Sequence, residues 1–179
     1  MVKKVVQVHD TQFEELISEN EILKSVEEMA RQISIDYQQK DLVVIGVLNG
    51  VFMFFSDLIK ALEIDPQVNF VKVASYQGTG STGKVKELVG FSGQLKNKDV
   101  LVVDDILDSG YTYEFLMDTL KAKKPRSIKF ACLLHKPKAQ KVAAMPDYTC
   151  FAIENDFVIG YGLDYDQKGR TLTSIFKKK

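Results

Sequence analysis

One segment decides the expected fold, and it reads Val102-Val103-Asp104-Asp105-Ile106-Leu107-Asp108-Ser109-Gly110-Tyr111-Thr112. The apolar residues 100–103 are typical of a short buried strand, and residues 111–123 are typical of a helix. Adjacent carboxylates repel each other unless a cation or a hydroxyl-rich ligand engages them. The first turn of a helix binds phosphate well, and glycine lets the backbone approach a ligand closely. The segment therefore predicts a strand, an acidic turn and a helix that bind a sugar phosphate.

A simpler interpretation of the same segment is that Asp108 or Ser109 caps the helix and that the aspartates are solvated. For one residue alone this interpretation would be preferred, but the ordered set favours a ligand site. Another phosphate motif can be rejected. Residues 78–83 match the dinucleotide pattern G-x-G-x-x-G, but a polar stretch with little helical character follows them.

The pattern on both sides of this segment predicts a doubly wound α/β fold, a mostly parallel sheet flanked by helices. Ser18 to Glu21 form a candidate capping box, and apolar residues then recur at helical spacing up to Tyr37. Because ligands bind at the carboxyl ends of such strands, loops 49–50, 75–86 and 104–112 are expected to meet there. The predicted strands are 2–8, 42–48, 67–74, 100–103, 127–134 and 148–153, and the predicted helices begin near 18, 51 and 111.

Composition limits the class of protein. The chain has 24 basic and 24 acidic side chains, so its formal net charge is zero and it offers no electrostatic reason to bind nucleic acid. Cys132 and Cys150 lie in apolar runs and are predicted to be free thiols. The N-terminus lacks the apolar core of a signal peptide, and no apolar run is long enough to span a bilayer. The sequence predicts a cytoplasmic protein with no membrane partner.

The segment 102–112 resembles the phosphoribosyl-pyrophosphate signature of type I phosphoribosyltransferases. Further motifs, in the same order, resemble the hypoxanthine-guanine phosphoribosyltransferase family and cover nearly the whole chain from the first helix onward. The resemblance implies the type I phosphoribosyltransferase fold and one domain over residues 1–179, with a small hood from about 1–15 and 150–179. These motifs are Ser75-Tyr76, Ser81-Thr82-Gly83, Leu133-Leu134-His135-Lys136 and Phe157-Val158-Ile159-Gly160-Tyr161-Gly162-Leu163-Asp164-Tyr165.

The reaction that the resemblance implies is attack of a 6-oxopurine nitrogen on the anomeric carbon of phosphoribosyl pyrophosphate. Hypoxanthine would give inosine monophosphate (IMP) and pyrophosphate, and guanine would give the guanosine nucleotide. Asp104 and Asp105 would hold the ribose hydroxyls directly or through Mg²⁺, and Asp108 would accept the purine proton as general base. The 5′-phosphate would be bound by Ser109, Gly110, Tyr111 and Thr112.

The same resemblance implies a purine pocket and a pyrophosphate subsite. Lys136 would contact the exocyclic oxygen of the purine, although its position after a strand is also typical of a surface lysine. Phe157 would stack on the base, and Val158 and Asp164 would offer backbone acceptors to its edge. Asp164 would also coordinate a second Mg²⁺ through water, and Arg170 would bind pyrophosphate.

Two loops complete the expected site. Asn49 and Gly50 occupy the pyrophosphate-loop position, where a cis peptide bond between these two residues is expected. Ser75, Tyr76 and the glycine-rich loop after them would close over the site as a lid. Asn49 stands where a basic residue is frequent in the family, which leaves less positive charge facing the pyrophosphate.

Two other functions are weighed against this enzyme. One is a regulator of the same fold that senses phosphoribosyl pyrophosphate and binds nucleic acid, although the chain has no room for an added DNA-binding domain. The other is a transferase for uracil or orotate, against which the motif 157–165 argues. The apolar residues 51–55 and the habit of the family suggest a homodimer or homotetramer, but a buried helix would look the same.

Overall fold

The computed structural model describes residues 4–75, 85–91 and 93–179. In that part of the chain, no helix is both long enough and apolar enough to cross a membrane. The elements are β1 (Val5–Val8), β2 (Thr11–Ile17), α1 (Glu19–Asp36), β3 (Leu42–Leu48), α2 (Phe52–Ala61), β4 (Gln67–Ser75), β5 (Val85–Val89), β6 (Asp99–Leu107), α3 (Tyr111–Lys121), β7 (Ser127–His135), a short 3-10 helix (Pro137–Ala139), β8 (Tyr148–Ala152), β9 (Val158–Ile159) and β10 (Ile175–Lys178).

The main sheet has six strands in the order β5-β4-β3-β6-β7-β8. Its last five strands are parallel, and β5 pairs with β4 in the antiparallel direction at the edge. Buried side chains of α1 and α2 pack on one face, and those of α3 pack on the other. This arrangement confirms the predicted doubly wound α/β fold.

Strand β3 shows why a continuous apolar run predicts a central strand. Val44 packs with α1 and α2, whereas Val43 and Ile45 face the cluster that contains α3. All three side chains are fully buried. Because successive side chains of a strand point to opposite faces, only a strand covered on both sides needs an uninterrupted run.

Helix α1 begins as the capping box predicts. The Glu21 N–H donates to Ser18 Oγ over 3.4 Å, and the Ser18 N–H donates back to Glu21 Oε2 over 2.9 Å. The predicted apolar stripe is buried through Ile22, Val26 and Ile33. Burying each such aliphatic side chain contributes about 1.5–3 kcal/mol relative to leaving it exposed, so this face anchors α1 to the sheet.

A second, small sheet has the order β1-β2-β10-β9 and joins the two ends of the chain. Its buried centre contains Phe13, Ile159 and Phe176. Strand β2 was not predicted, because residues 11–17 do not alternate strictly between polar and apolar side chains. Its pairing with β10, which is remote in sequence, decides its conformation.

The prediction that residues 104–107 form an acidic turn is wrong, because β6 continues through them to Leu107. The reason is that β7 is equally long and pairs with β6 throughout, from Asp99 opposite Ser127 to Leu107 opposite His135. Residues 85 and 86, predicted as loop, likewise belong to β5 because they pair with β4. Polar side chains near the end of β6 therefore do not mark the point where its backbone pairing with β7 ends.

Candidate active site

A cleft of about 350 Å³ opens at the carboxyl ends of β3, β4 and β6. Loops 49–50 and 104–112 meet there, as expected for a doubly wound sheet. Most of the described side chains that the sequence singled out line this cleft. Its lining comprises Val47, Leu48, Asn49, Gly50, Lys72, Val73, Asp104, Asp105, Ile106, Leu107, Asp108, Ser109, Gly110, Thr112, Tyr113, Asp164 and Arg170.

Asp104 and Asp105 form the floor of the cleft. The Asp105 N–H donates to Asp104 Oδ1 over 3.0 Å, and the Ile106 N–H donates to Asp105 Oδ1 over 2.9 Å. Burial raises the pKa of Asp104 well above its ordinary value, and the neighbouring Asp105 charge raises it further. Burial also raises the pKa of Asp105, although Arg170 opposes that effect. Two adjacent carboxylates, of which Asp104 is buried and Asp105 half-buried, favour a cation or a hydroxyl donor beside them.

The turn between β6 and α3 enters the helix through a glycine in the left-handed region. Gly110 is the N-cap of α3 with φ of +88°, and no side chain makes a capping hydrogen bond there. The interpretation of Asp108 or Ser109 as a helix cap is therefore wrong. Ser109 and Thr112 line the cleft beside the start of the helix, whereas Tyr111 is half-buried and outside its lining.

Asp108 and Lys136 form an ion pair at the end of β6 and β7. Lys136 Nζ lies 3.4 Å from Asp108 Oδ2, and the lysine side chain is 7% exposed against 48% for the aspartate. The alternative of a surface lysine is therefore wrong. The Lys136 N–H also donates to Leu107 O over 2.9 Å, which fixes the backbone of the lysine against β6.

Asp164 and Arg170 lie across the cleft from β6 in the segment between β9 and β10. Arg170 Nη2 is 2.7 Å from Asp164 Oδ1, and Arg170 Nη1 donates to Gly162 O over 2.7 Å. The Gln167 N–H donates to Asp164 Oδ2 over 2.9 Å. These contacts hold one carboxylate and one guanidinium together at the wall of the cleft.

The loop after β3 contains a cis peptide bond, but it joins Leu48 and Asn49. The expectation of a cis bond between Asn49 and Gly50 is therefore wrong by one residue. Position 50 requires glycine for a steric reason, since a β-carbon there would overlap the Asp105 carboxylate. A β-carbon on Gly162 would in turn overlap Gly50 O, so the two loops meet through their backbones.

Phe157 and Val158 do not line the cleft. Phe157 is 48% exposed, and its ring centroid lies 5.7 Å from that of Tyr165 and 6.3 Å from that of Phe13. Val158 is buried in β9. The Phe157 ring is thus supported by aromatic neighbours of the small sheet and retains exposed surface for a planar ligand.

Part of the expected lid lies outside the described residues. The backbone of Ser75 ends β4, but its side chain, Tyr76 and residues 77–84 are not described. Sequence reasoning missed Lys72, which the pairing of β4 with β3 places beside Leu48 and whose side chain lines the cleft. A single lysine in a strand carries no local signal, so only the register of the sheet identifies it.

The carboxylates of the cleft fit a magnesium ion only if a bound phosphate ligand supplies further oxygen donors. In the part of the chain that the structure describes, no group of three or more His, Cys, Asp or Glu side chains could hold a metal alone. Mg²⁺ is usually bound by one or two carboxylates together with substrate phosphates and water. Asp104, Asp105 and Asp164 supply only such oxygen donors, on two walls of one cleft.

Comparison with known proteins identifies the family of the chain independently of the cleft. A family model described as a phosphoribosyl transferase domain matches residues 12–166. The hypoxanthine-guanine phosphoribosyltransferase of Streptococcus pyogenes serotype M3 is 38% identical over 161 residues, which cover 89% of each chain. A bifunctional TilS/HprT protein of Listeria innocua is 39% identical over 161 residues. The present chain spans only 25% of the length of that Listeria protein.

Solved structures show the same fold. A hypoxanthine phosphoribosyltransferase from Staphylococcus aureus superposes with a TM-score of 0.88 at 38% identity, covering 92% of this chain and 90% of the other. A hypoxanthine-guanine phosphoribosyltransferase from Bacillus anthracis gives a TM-score of 0.87 at 40% identity, covering 96% and 99%. The likeness therefore includes both the main sheet and the small one.

Proposed function

The chain belongs to the phosphoribosyltransferase family, in its hypoxanthine-guanine branch, and on that premise we propose that it is a purine-salvage transferase. It converts hypoxanthine or guanine and phosphoribosyl pyrophosphate to IMP or the guanosine nucleotide and pyrophosphate. The observation that carries this proposal is the Asp108–Lys136 pair beside the phosphate-binding turn. No contact in the described part of the chain favours a nucleic-acid-binding regulator.

Asp108 is the proposed general base. A purine nitrogen attacks C1′ of the ribose as the bond from C1′ to pyrophosphate breaks, and Asp108 takes the proton that the purine ring loses. Its exposed carboxylate lines the cleft, so a base can reach it without a change in the fold. Positioned proton transfer of this kind is typically worth about 10²–10⁴-fold in rate.

The purine is held by groups next to that base. Lys136 donates to the exocyclic oxygen, which selects 6-oxo over 6-amino purines, because its ammonium already lies beside Asp108 and is shielded from water. The exposed face of Phe157 stacks on the purine ring. Backbone carbonyls near Val158 and Asp164 accept hydrogen bonds from the far edge of the purine. A 6-amino purine would place an N–H donor against the ammonium, which can only donate, so the buried lysine disfavours that base.

The phosphates of the substrate occupy the two ends of the cleft. Ser109, Gly110, Tyr111 and Thr112 bind the 5′-phosphate at the start of α3, where helix N–H groups and the helix dipole favour an anion. Arg170 and Lys72 bind the pyrophosphate near Asn49 and Gly50. Lys72 thereby supplies the positive charge that Asn49 lacks.

Mg²⁺ is the proposed cofactor, and when bound it neutralises charge on the diphosphate. Asp104 and Asp105 would hold it together with the ribose hydroxyls, and Asp164 would hold a second ion through water. Burial and the neighbouring Asp105 charge both raise the pKa of Asp104, and a cation beside these two carboxylates would relieve that repulsion, which supports this assignment. Ser75 and Tyr76, with the loop after them, remain the predicted lid that excludes water.

The wider assignments of this proposal follow from the family. Residues 1–179 act as one phosphoribosyltransferase domain, in which the small sheet forms the hood over the base. The enzyme works in the cytoplasm on small molecules, as a homodimer or homotetramer, and needs no nucleic acid.

A steady-state comparison of hypoxanthine, guanine and xanthine with Mg²⁺ and phosphoribosyl pyrophosphate tests the function. We expect turnover of the first two bases, with pyrophosphate released in equal amount to the nucleotide. Asp118→Asn, an exposed carboxylate on α3, serves as a matched control for substitutions in the cleft. A folded protein that turns over none of the three bases would overturn the proposal.

A further inference from the structure

Residues 136–144, which follow β7, form the wall behind the phosphate-binding turn. The N–H groups of Lys141 and Val142 both donate to Ser109 O, over 2.9 and 3.3 Å. Val142 also fills the space beside Gly110, where a β-carbon would come within 2.8 Å of Val142 Cγ2. None of residues 137–144 lines the cleft. Beyond Lys136, the segment therefore supports the turn from outside the cleft.

One side chain cross-links this segment. Gln140 Nε2 donates to Ala144 O over 2.7 Å and lies 3.1 Å from His135 Nε2. The carbonyl of Ala144 fixes which end of the amide is nitrogen, and an amide nitrogen can only donate. His135 Nε2 must therefore accept, so its ring is neutral and carries its proton on Nδ1. Gln140 thus ties the end of β7 to the far end of the segment.

We propose that Gln140 and His135 are positioning residues for the phosphate-binding turn. The hydrogen bonds from Gln140 to His135 and to Ala144 O form a brace, which is intact only while His135 is neutral. The inference rests on the proposed function, because it takes the ligand of the turn to be the 5′-phosphate. Neither residue touches that phosphate. Both act through the backbone of Ser109 and the space beside Gly110.

The charges around His135 do not oppose this assignment. The charged groups next to it on the packed elements are engaged in two pairs, Lys136 with Asp108 after β6 and Lys138 with Glu154 after β8. Burial is the cause that lowers the pKa of His135 below its ordinary value. The ring is therefore neutral at neutral pH. Protonation in acid turns Nε2 into a donor that faces the Gln140 donor, and the brace opens.

The first test measures phosphate affinity in Gln140→Ala. Loss of two partly buried hydrogen bonds should raise KM for phosphoribosyl pyrophosphate and Kd for IMP by about tenfold, with kcat changed by less than about twofold. Kd for inosine, which lacks the phosphate, should stay the same. Lys138→Gln, an exposed change in the same segment, is the control and should leave all four quantities unchanged.

The second test is the pH dependence of IMP affinity. In the wild type, affinity should weaken as pH falls through the pKa of His135, which lies below the ordinary histidine value of about 6.5. His135→Asn keeps a neutral acceptor and should remove that loss. Gln140→Glu should invert the dependence, since a carboxylate pairs with protonated His135 and repels Ala144 O once His135 is neutral. The 5′-phosphate ionises near pH 6 and affects every variant alike.

The outcomes separate this inference from the proposed function. A wild type that binds IMP but turns over no purine would refute the function, while a selective loss of IMP affinity in Gln140→Ala would still support the brace. Normal turnover with unchanged IMP affinity in Gln140→Ala would refute the brace alone. If Gln140→Ala does not fold, the pH dependence of IMP affinity in His135→Asn and Gln140→Glu tests the brace. Profiles parallel to that of the wild type would overturn the inference.

Discussion

The ammonium of Lys136 lies 3.4 Å from the carboxylate of Asp108, and the lysine is the buried member of the pair. The cation is thus held in place by burial, while the carboxylate faces the cleft. In the proposed function, a purine bound in the cleft meets Lys136 as a fixed donor and Asp108 as an accessible proton acceptor. On that proposal the lysine selects the base and the aspartate takes its proton.

Asp108→Asn should lower kcat for IMP formation by about 10²–10⁴-fold, because an amide cannot accept the purine proton. KM for phosphoribosyl pyrophosphate should change little, since the phosphate-binding turn is intact. Steady-state kinetics with both substrates varied would measure the two effects, with Asp118→Asn as the control. Equal losses in kcat and in phosphoribosyl-pyrophosphate binding would mean that Asp108 is a binding residue.

Lys136→Met should raise KM for hypoxanthine by about 10- to 100-fold, because a hydrogen bond from a charged group to the exocyclic oxygen is worth about 1.5–3 kcal/mol. Discrimination against adenine should fall by a similar factor. Competition between the two bases, assayed by chromatography of the nucleotides, would report both changes. An unaltered preference for 6-oxopurines in a folded variant would remove Lys136 from base selection.

Asp104→Asn should stabilise the protein without substrate while it weakens binding of Mg²⁺ and phosphoribosyl pyrophosphate. The pKa of Asp104 is raised in the folded state, so its ionisation opposes folding progressively as pH rises above its unfolded value. The variant should gain about 1–3 kcal/mol at pH 8 and almost nothing at pH 4. Thermal melts across this range would test it, and a variant less stable than the wild type at pH 8 would contradict the prediction.

Lys72→Met should raise KM for phosphoribosyl pyrophosphate by about tenfold, through the loss of one charge-assisted contact. IMP affinity should not change, because the nucleotide carries no pyrophosphate. Isothermal titration with IMP alongside steady-state kinetics would separate the two. Lys123→Met, an exposed lysine after α3, is the control, and an equal loss of IMP affinity would show that Lys72 acts elsewhere.

Asp36→Asn should destabilise the fold by about 1 kcal/mol at pH 7, because Asp36 accepts a hydrogen bond from the Tyr148 hydroxyl over 2.6 Å and one from Lys129 over 3.2 Å. The Tyr148 hydrogen bond is the main cause that lowers the pKa of Asp36. This contribution is present above the unfolded pKa of about 3.9 and is lost as pH falls through the lower folded value.

Thermal melts from pH 7 to pH 2.5 would measure that dependence. The melting temperatures of the wild type and Asp36→Asn should converge at the acid end. Tyr148→Phe should reproduce most of the loss at pH 7, and a difference that is independent of pH would contradict the assignment.

The parts of the fold that local pattern predicted are those that local chemistry decides. Ser18 and Glu21 satisfy each other within one helical turn, and the run Leu42–Leu48 needs only apolar cover on both faces. Both were read correctly from neighbouring residues. The start of α3 at Tyr111 was likewise predicted from neighbouring residues, with Gly110 before it at a positive φ, whereas phosphate binding by this turn stays a prediction.

The parts that local pattern missed depend on residues remote in sequence. Asp104 stays in a strand because Cys132 lies opposite it, and β2 forms because β10 pairs with it. The burial of Lys136 likewise depends on where β6 ends. Lys72 enters the cleft through sheet register alone. None of these long-range pairings can be recognised from the neighbouring residues in the sequence.

The backbone contact between Gly162 and Gly50 constrains how such enzymes can be rebuilt. Two loops from distant parts of the chain touch where neither tolerates a side chain, so the small sheet is not an interchangeable module. A chimera that takes residues 157–178 from a relative of different base preference must bring glycine at position 162, because a β-carbon there would overlap the carbonyl oxygen of the retained Gly50. A graft that is meant to change base preference therefore has to preserve the contact between the loop of Gly50 and the loop of Gly162.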